Sequence, residues 1–384
     1  MPLILTGTSG STTLDSSAGL TFSDSSNQAA AASPYVLKNR IINGDMRIDQ
    51  RYAGTATAST INGYTIDRWV VNQNASTGKL IAQQNQGSVT PPAGFTNYLG
   101  VTSQSAYTVG STDWYSFQYN IEGYNVADLA YGTANAKTCT LSFWVRSSLT
   151  GTFAGTFGNS ASTRAYPFTY TISAANTWEQ KTITVYGDTS GSWNTTNGVG
   201  LYLMLSLGMG STYTTGTANN SWATSTTISI PSGGTSVVGT NGATFYITGV
   251  QLEQNTSATP FERRLYTTEL QLCQRYYYRI NSTVSYGLMG WGQGLTTSIV
   301  RINVPLPVTM RVPATGFDYS AANTYLLVSG SNNPTVSSVS TSTNSSLQIA
   351  QIQITTSTSA TVSAAFDLFA NASAAAYIGV IAEL

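Results

Sequence analysis

The sequence predicts an all-β protein with two β-sandwich, jelly-roll-like domains, joined by one α-helix and preceded by an extended N-terminal arm. Three observations support this prediction. Short runs of alternating apolar and polar residues recur along the chain, with Gly- and Asn-rich turns between them. Only residues 265–280 repeat their apolar side chains at helical spacing. Charged residues make up 8% of the composition, which suits a polar but uncharged β surface.

The chain divides into four predicted segments. Residues 1–38 form a low-complexity arm, rich in Ser, Thr and Ala, which cannot bury a core of its own. Residues 39–262 and 282–384 contain the strand patterns of the two sandwiches, and residues 263–281 contain the linking helix. The composition of the arm is consistent both with a flexible tail and with an anchor that orders on a larger structure. We favour the anchor.

Five runs of residues predict the strands of the first sandwich. Residues 41–51 alternate apolar with polar and charged side chains, so we expect them to form the first strand. Residues 201–207 are apolar on both faces, which predicts a central strand. The closing strand, residues 245–253, changes the phase of its alternation at Gly249, as a β-bulge would. The other two runs are Cys139, Leu141, Phe143 and Val145, with Trp144 and Arg146 on the opposite face, and Ile183 with Val185.

The linking helix has its own signals. Thr267 is the predicted N-cap, and Glu269 lies in the first turn, where a negative charge is favoured. The residues of the predicted buried face are Leu272, Cys273, Tyr276 and Ile280.

Alternating runs after the helix predict the second sandwich. Residues 300–308 alternate but contain Pro305 and Pro307, so this strand either lies at an edge or ends there. Residues 347–354 change phase, which indicates a second bulge, and residues 331–346 have the composition of a long exposed loop. Two further runs, near 362–368 and 378–384, complete the sandwich.

Charged residues are concentrated in two short stretches. Residues 38–68 and 253–279 together contain fifteen of the 32 charged residues. We therefore expect the two stretches to meet and to neutralise one another, with the first strand beside the closing strand. The predicted structural charge cluster consists of Asp45, Arg47, Asp67, Arg68, Glu253, Glu262, Arg263 and Glu269.

The composition excludes several kinds of chemistry. The chain has no histidine, which removes Ser-His-Asp and Cys-His catalysis and most zinc sites. The two cysteines, Cys139 and Cys273, are predicted to be buried thiols with no disulfide between them. Neither a phosphate-binding loop nor a Rossmann fingerprint occurs. The enzymatic alternative that remains is a carboxylate pair acting on glycosides, drawn from Asp113, Glu122, Asp128, Glu179 and Asp188.

The sequence predicts few cofactors and partners. We expect no cofactor, with a structural calcium ion near Asn43, Asp45 or Glu253 as the alternative. The formal net charge of zero argues against nucleic acid as a partner. No apolar run is long enough to cross a membrane, and the first residues lack the features of a secretory signal, so we expect neither membrane insertion nor secretion by a signal peptide.

Aromatic residues in polar surroundings indicate binding of sugars. Ring C–H groups of a sugar pack on a flat aromatic face, while nearby amides and hydroxyls bind the sugar hydroxyls. The alternative is that these aromatic residues belong to the core. Trp144 and Trp193 are the leading candidates, the first because of its alternation and the second because of its polar neighbours. The full set of candidate glycan-binding residues is Trp144, Trp193, Trp114, Tyr115 and Trp222.

Several motifs resemble those of known proteins. The chain contains, in this order, NRIINGDMRIDQR, YTIDRW, TGVQLEQ, TPFERR and ELQLCQRYY, and this combination resembles the fibre and receptor-binding proteins of tailed bacteriophages. NGDM and ITGVQLE are similar to the first and last strands of carbohydrate-binding modules with a galactose-binding-like jelly roll. The motifs match scaffold positions, so they indicate no binding residue.

The resemblance implies a virion protein. It implies a homotrimer that attaches to other virion proteins through residues 1–37 and presents β domains to the host surface. The missing catalytic motifs predict no enzymatic activity, and the aromatic residues predict host-surface polysaccharide as the partner. Many fibres have extended shafts and this chain has none. A tail fibre, a head fibre and a capsid decoration protein therefore all stay open, with a polysaccharide depolymerase as a further alternative.

Overall fold

The structure, a computed structural model, describes residues 20–21, 27–28, 38–57, 63–73, 78–214, 220–226, 228–330, 332–372 and 374–384. The chain forms two units, Met1–Lys38 and Asn39–Leu384. In the first unit, strand β1 (Leu20–Thr21) pairs antiparallel with β2 (Asn27–Gln28). The predicted anchoring role of the arm concerns mainly residues outside the described ones, and it stays a prediction.

The first sandwich of the second unit consists of two antiparallel sheets. One has seven strands in the order β13-β10-β9-β12-β7-β4-β3, and the other has five in the order β11-β8-β14-β6-β5. The strands, in chain order, are β3 (Gly63–Ile66), β4 (Trp69–Gln73), β5 (Leu80–Gln84), β6 (Leu99–Ser103), β7 (Trp114–Glu122), β8 (Cys139–Ser147), β9 (Gly151–Gly158), β10 (Arg164–Ile172), β11 (Glu179–Val185), β12 (Val199–Met209), β13 (Ala223–Thr224) and β14 (Thr244–Glu253). Short 3₁₀ turns lie at Gln86–Ser88, Gly123–Asn125 and Ala127–Leu129.

The alternating pattern of each strand explains how the two sheets pack. In β8, every second residue from Cys139 to Val145 is fully buried in the core between the sheets, as predicted. The prediction of a central strand at residues 201–207 is confirmed, because β12 lies between β9 and β7 and buries both of its faces. The predicted bulge in β14 is also confirmed. Gly249 has a φ of 61°, and the register against β8 shifts between Thr248 and Gln251.

The predicted first strand, residues 41–51, is wrong. This segment contains a turn at residues 42–45 and no strand. Asn43 and Met46 both adopt left-handed backbone conformations, and Asn43 is buried together with Ile42, so the two-faced alternation is lost. The segment nevertheless runs beside β14. The Arg40 amide donates to the Leu252 carbonyl at 2.8 Å, and the Val250 amide donates to the Gly44 carbonyl at 2.8 Å.

The α-helix that the described residues contain is shorter than predicted. Helix α1 spans Tyr266–Gln274, and its N-cap residue is Leu265, which makes no side-chain capping bond, so the N-cap prediction for Thr267 is wrong. The predicted helical position of Ile280 is also wrong, because Tyr277–Asn281 forms strand β15, which pairs with β23 (Tyr377–Ile381). Both cysteines are buried free thiols, as predicted.

The second sandwich packs a six-stranded sheet against a three-stranded sheet. Their orders are β19-β22-β16-β17-β21-β20 and β15-β23-β18. The core between them contains residues from both sheets, such as Ile302 and Val380. The remaining strands are β16 (Leu288–Thr296), β17 (Ile299–Pro305), β18 (Gly316–Tyr319), β19 (Tyr325–Val328), β20 (Val336–Thr341), β21 (Ile349–Thr356) and β22 (Ala365–Ala370), with a 3₁₀ turn at Ala322–Thr324.

Two predictions for this sandwich are wrong and one is confirmed. Strand β17 ends at Pro305, as predicted, although it lies inside the sheet rather than at its edge. The predicted long loop contains β20, which pairs with β21. The predicted bulge at residues 347–354 is absent from the described ladder, because the register between β17 and β21 is unbroken. The change of phase arises because Leu347 and Ile349 are exposed.

Arginine side chains stacked on tyrosine rings join the two sandwiches. The guanidinium carbon of Arg51 lies 3.5 Å from the Tyr277 ring centroid, and that of Arg68 lies 3.7 Å from the Tyr276 ring centroid. Glu383, which follows β23, forms ion pairs with both of these arginines. The two cores are thus connected by charged and aromatic contacts. The predicted division of the chain into domains stays a prediction.

Candidate functional site

The clearest candidate site is a groove on the outer face of the seven-stranded sheet. Adjacent strands β4, β7 and β12 point their alternate residues away from the core and into this groove. The groove has a volume of about 270 Å³. Its lining consists of Asn72, Trp114, Gln118, Asn120, Ser160, Ser162, Val199, Tyr202, Met204 and Ile228.

Three amide side chains form a hydrogen-bonded ladder across the groove. Asn72 Nδ2 donates to Gln118 Oε1 at 2.6 Å, and Gln118 Nε2 donates to Asn120 Oδ1 at 3.0 Å. Asn120 Nδ2 in turn donates to the Leu384 carbonyl oxygen at 3.1 Å. Each side-chain amide has two N–H donors, and the ladder uses one of them. The second N–H of each amide is thus available to a ligand that carries hydroxyl groups.

Aromatic rings flank the amide ladder. Trp114, at the start of β7, is half-buried and packs edge-on against Tyr213, with 5.0 Å between ring centroids. Tyr202 of β12 lies over the backbone of β9 at Gly158. A Cβ atom at Gly158 would lie 2.3 Å from the Tyr202 ring, so only glycine permits this position of the ring. Burial raises the pKa of the Tyr202 hydroxyl.

The groove carries no formal charge on any described residue that lines it. Its polar groups are amides and hydroxyls, and its apolar groups include one indole and one phenol ring. This combination suits a neutral ligand with many hydroxyl groups.

The structure separates the five predicted glycan-binding residues. Trp114 lies in the groove. Its neighbour Tyr115 points the opposite way and is fully buried in the core, so its ring offers no surface to a ligand. Trp144 lies half-buried on β8, between Gln180 and Thr248 of the flanking strands.

Trp193 and Trp222 lie together in a separate aromatic cluster. Their ring centroids are 5.1 Å apart, and both rings contact Tyr131. The indole N–H of Trp193 donates to the Ser190 carbonyl at 3.0 Å, and that of Trp222 donates to the Tyr186 carbonyl at 2.6 Å. Both indoles pack against the first core. The cluster thus uses the indole donors for contacts within the protein.

The sequence analysis did not identify Tyr202 or the three amide residues of the ladder as site residues. Gln118 and Asn120 are separated by one residue in β7, opposite an apolar face, and this alternation was a usable signal. Tyr202 similarly alternates with the buried leucines of β12. Asn72 has no such signal, because it comes from β4, more than forty residues earlier in the chain.

The two charged stretches contact one another through several hydrogen bonds, of which three follow. The Asn39 amide donates to Glu262 at 2.9 Å, and the Asn43 amide donates to Glu269. Arg47 Nη2 donates to the Arg264 carbonyl at 2.6 Å.

Most ion pairs of the predicted charge cluster lie within one stretch or lead outside both. Arg47 pairs with Asp45 at 3.2 Å, and Arg68 pairs with Glu383, which lies in neither stretch. The other members make separate contacts. Glu262 and Glu269 both pair with Arg264, which is not a member of the predicted cluster. Asp67 accepts from Gln50, Glu253 accepts from Gln251 and Thr259, and Arg263 lies over Phe95.

The structure gives no support to the calcium alternative. Among the described residues, no group of three or more Asp, Glu, Cys or His side chains is placed to hold a metal ion. The Asn43 side-chain oxygen accepts from the Ile48 amide at 2.9 Å, and the Glu253 carboxylate accepts from both the amide and the hydroxyl of Thr259. These oxygens already serve as hydrogen-bond acceptors within the protein.

We predict that the protein becomes less stable as pH rises from about 5 to about 8. Burial raises the pKa of Asp67 to about 7, against the lowering effect of its hydrogen bonds from Gln50, and burial also raises the pKa values of Asp45, Asp49 and Glu269. The folded state therefore holds protons that the unfolded state releases above about pH 4. Stability is lost as pH rises through the folded pKa.

Urea denaturation measures this effect. The expected loss in the free energy of unfolding between pH 5 and pH 8 is about 2 to 3 kcal/mol from Asp67 alone. Asp67→Asn should flatten the pH profile. A stability that rises over this interval, or an unchanged profile in the variant, would contradict the prediction.

The five carboxylates considered for glycoside hydrolysis are held by protein donors. Glu122 pairs with Arg275 at 2.6 Å and accepts from the Tyr276 hydroxyl at 2.6 Å. The others are held as follows: Asp113 by Tyr107 and the Gly110 amide, Asp128 by Arg40, Glu179 by Lys181 and two amides, and Asp188 by Arg164.

Within the described part of the chain, α1 has nine residues and no helix meets the length and hydropathy of a membrane span.

Comparisons with known proteins identify no family. No protein-family model matches the chain, and no curated protein matches it. Among solved structures, the chain is similar to the enzymatically active domain of tailspike protein 4 of bacteriophage CBA120, at 11% identity and a TM-score of 0.30, over 56% of this chain and 21% of that chain. The chain therefore spans about a fifth of the tailspike chain.

Two further structures are carbohydrate-binding proteins by name. One is the family 11 carbohydrate-binding module from Clostridium thermocellum, at 8% identity and a TM-score of 0.27, over 52% of this chain and 95% of that chain. The other is the N-terminal cellulose-binding domain of a β-1,4-glucanase from Cellulomonas fimi, at 13% identity and a TM-score of 0.25, over 47% of this chain and 91% of that chain. Structural similarities with TM-scores this low do not indicate the function of this chain.

Proposed function

We propose that this chain is a non-enzymatic fibre protein of a bacteriophage particle that binds a neutral host-surface glycan in the groove of the first sandwich. The observation that carries the glycan-binding part is the uncharged groove, in which the ladder of Asn72, Gln118 and Asn120 lies between aromatic rings. The amides would bind sugar hydroxyls, and the ring of Trp114 or Tyr202 would pack on the sugar C–H face.

The virion assignment is supported by the motif resemblance. In this proposal the protein is a homotrimer that attaches to other virion proteins through residues 1–37 and presents its sandwiches to host polysaccharide. The glycan-binding groove and the attachment arm belong to different units of the chain. Display and attachment could therefore be tested separately.

The groove proposal predicts a specific effect of Trp114→Ala. Binding on an array of neutral host-surface glycans should weaken about tenfold, because the sugar loses the indole face. Trp193→Ala is the matched control, since it removes an indole of the separate aromatic cluster and should leave the affinity unchanged. Added salt should also change the affinity little, because none of the described residues that line the groove is charged.

Other outcomes would favour the other functions. Loss of binding in Trp193→Ala but not in Trp114→Ala would move the site to the aromatic cluster. Binding to no glycan on the array would favour a structural decoration or head-fibre protein. Release of reducing sugar from host polysaccharide would favour a depolymerase.

A further inference from the structure

A second ligand-binding surface lies on the outer face of the six-stranded sheet. It is a cavity of about 450 Å³ lined by side chains of the neighbouring strands β16, β17 and β21. The lining residues are Trp291, Gly292, Gln293, Leu295, Arg301, Asn303 and Gln351. This face is opposite the core of the second sandwich.

Trp291 is the most distinctive residue of this surface. It is 51% exposed, whereas Trp114 is half-buried. In the pairing of β16 with β17, Trp291 lies directly opposite Asn303, and Gln293 lies opposite Arg301. The indole and the guanidinium are therefore diagonal neighbours on one face of the sheet.

Glycine keeps the strands that carry these two residues close together. A Cβ atom at Gly292 would lie 1.7 Å from the Arg301 carbonyl oxygen, so no other residue fits there without a shift of the backbone. The spacing between the indole of Trp291 and the guanidinium of Arg301 is thus set by rigid strands rather than by loops.

Arg301 has no carboxylate at ion-pair distance among the described residues. The nine ion pairs of that part of the chain do not include Arg301, and its Nε is buried and makes no hydrogen bond there. Asp367 is exposed and lies opposite Trp291 in the pairing of β16 with β22, on the side of β16 away from β17. The arginine thus offers a positive charge and N–H donors to a ligand.

Amides complete the surface. Gln351 Nε2 donates to Asn303 Oδ1 at 3.0 Å, and the Ser342 hydroxyl donates to Gln351 Oε1 at 2.9 Å. Gln351 uses one of its two N–H donors in this contact and Asn303 uses its oxygen, so both amides have N–H donors left for a ligand. Unlike the first groove, this surface also carries a cation, Arg301.

We propose that this surface binds an acidic oligosaccharide. A sugar ring packs on the exposed face of Trp291, its hydroxyls accept from the amides of Asn303 and Gln351, and its carboxylate accepts from the guanidinium of Arg301. This site is independent of the neutral groove, so the chain has two sugar sites of different charge preference.

Affinity electrophoresis tests the proposal on the full chain. The gels contain polygalacturonate, alginate or hyaluronan, and a parallel gel contains methyl-esterified polygalacturonate, whose carboxylates are neutralised. Retardation by at least one free acid is expected, with loss of that retardation in the methyl ester. Arg301→Gln should weaken acid binding about tenfold. Asp367→Asn should strengthen it, because a negative charge beside the ligand is removed.

Matched controls separate a site from a general charge effect. Arg146→Gln makes the same change in net charge on β8 of the other sandwich and should leave acid binding unchanged. Trp291→Ala should weaken acid binding, while leaving neutral glycans in the first groove bound. Equal retardation of wild type and Arg301→Gln, no retardation by any of the three acids, or equal effects of Arg301→Gln and Arg146→Gln would overturn the proposal. Failure of the Trp114→Ala prediction would not affect it.

Discussion

Replacing Glu383 with alanine is expected to lower the free energy of unfolding by about 3 to 5 kcal/mol, because it leaves a buried arginine without its counter-charge. The Arg68 side chain is 1% exposed and the Glu383 side chain is 5% exposed. Glu383 also pairs with Arg51 at 3.1 Å. Without the carboxylate, the guanidinium of Arg68 keeps its hydrogen bond to the Asn120 carbonyl and its stacking on Tyr276.

The environment of Arg68 makes this loss large. Water does not reach the buried guanidinium of Arg68, so it cannot solvate the charge that Glu383 no longer neutralises. An unsolvated ion costs several kcal/mol in a protein interior. The effect should extend to the contact between the two sandwiches, because Glu383 belongs to the segment after β23 while Arg51 and Arg68 belong to the first sandwich.

Urea denaturation of the variant and of a surface control checks this prediction. Asp128→Ala removes the partner of Arg40, but the Asp128 side chain is 29% exposed, so the expected loss is below about 1 kcal/mol. The double variant Arg68→Met with Glu383→Leu should recover part of the loss, since it replaces the buried charges with apolar groups. Equal losses of unfolding free energy in Glu383→Ala and Asp128→Ala would show that another group neutralises the charge of Arg68.

The second large effect is expected at Asn43. Asn43→Ala should lower the free energy of unfolding by about 3 to 5 kcal/mol, because it removes three buried hydrogen bonds and places alanine in a left-handed conformation. The side-chain amide of Asn43 donates to the Ile48 carbonyl at 2.8 Å and to the Asp67 carbonyl at 2.9 Å, and its oxygen accepts from the Ile48 amide. The residue is 0% exposed and has a φ of 58°.

Two further variants separate the causes. Asn43→Gly loses the same hydrogen bonds but tolerates the positive φ, so it should be more stable than Asn43→Ala by about 1 kcal/mol. Asn85 has the same φ of 58° but its side chain accepts one hydrogen bond, from the Tyr98 amide at 3.1 Å. Asn85→Ala should therefore cost about 1 to 2 kcal/mol. An equal cost at both asparagines would mean that the hydrogen bonds of Asn43 contribute little.

Asn43 also explains why the alternation of residues 41–51 wrongly predicted a strand. The segment alternates as a strand would, yet its conformation is set by hydrogen bonds to Ile48 and Asp67, five and 24 residues later. Strand pairing competes with these side-chain bonds to the backbone. Where no such contact intervenes, as in β8 and β12, alternation identified the buried face correctly.

The same distinction holds for the candidate site. The sequence showed that aromatic residues with polar neighbours were present, and alternation alone could have separated Trp114 from the buried Tyr115. It could not show that Asn72, Gln118 and Tyr202 share one groove, because these residues come from three strands that only the sheet brings together.

The sequence by itself determined that this protein is built of antiparallel β-strands, that a helix follows the first sandwich, that its cysteines are buried thiols and that histidine chemistry is excluded. These properties depend on composition and on the period-two alternation, which act within a few residues. Only the tertiary structure decided which polar side chains meet. Strand order places residues far apart in the chain side by side, and buried charges such as Arg68 find their partners across sandwiches.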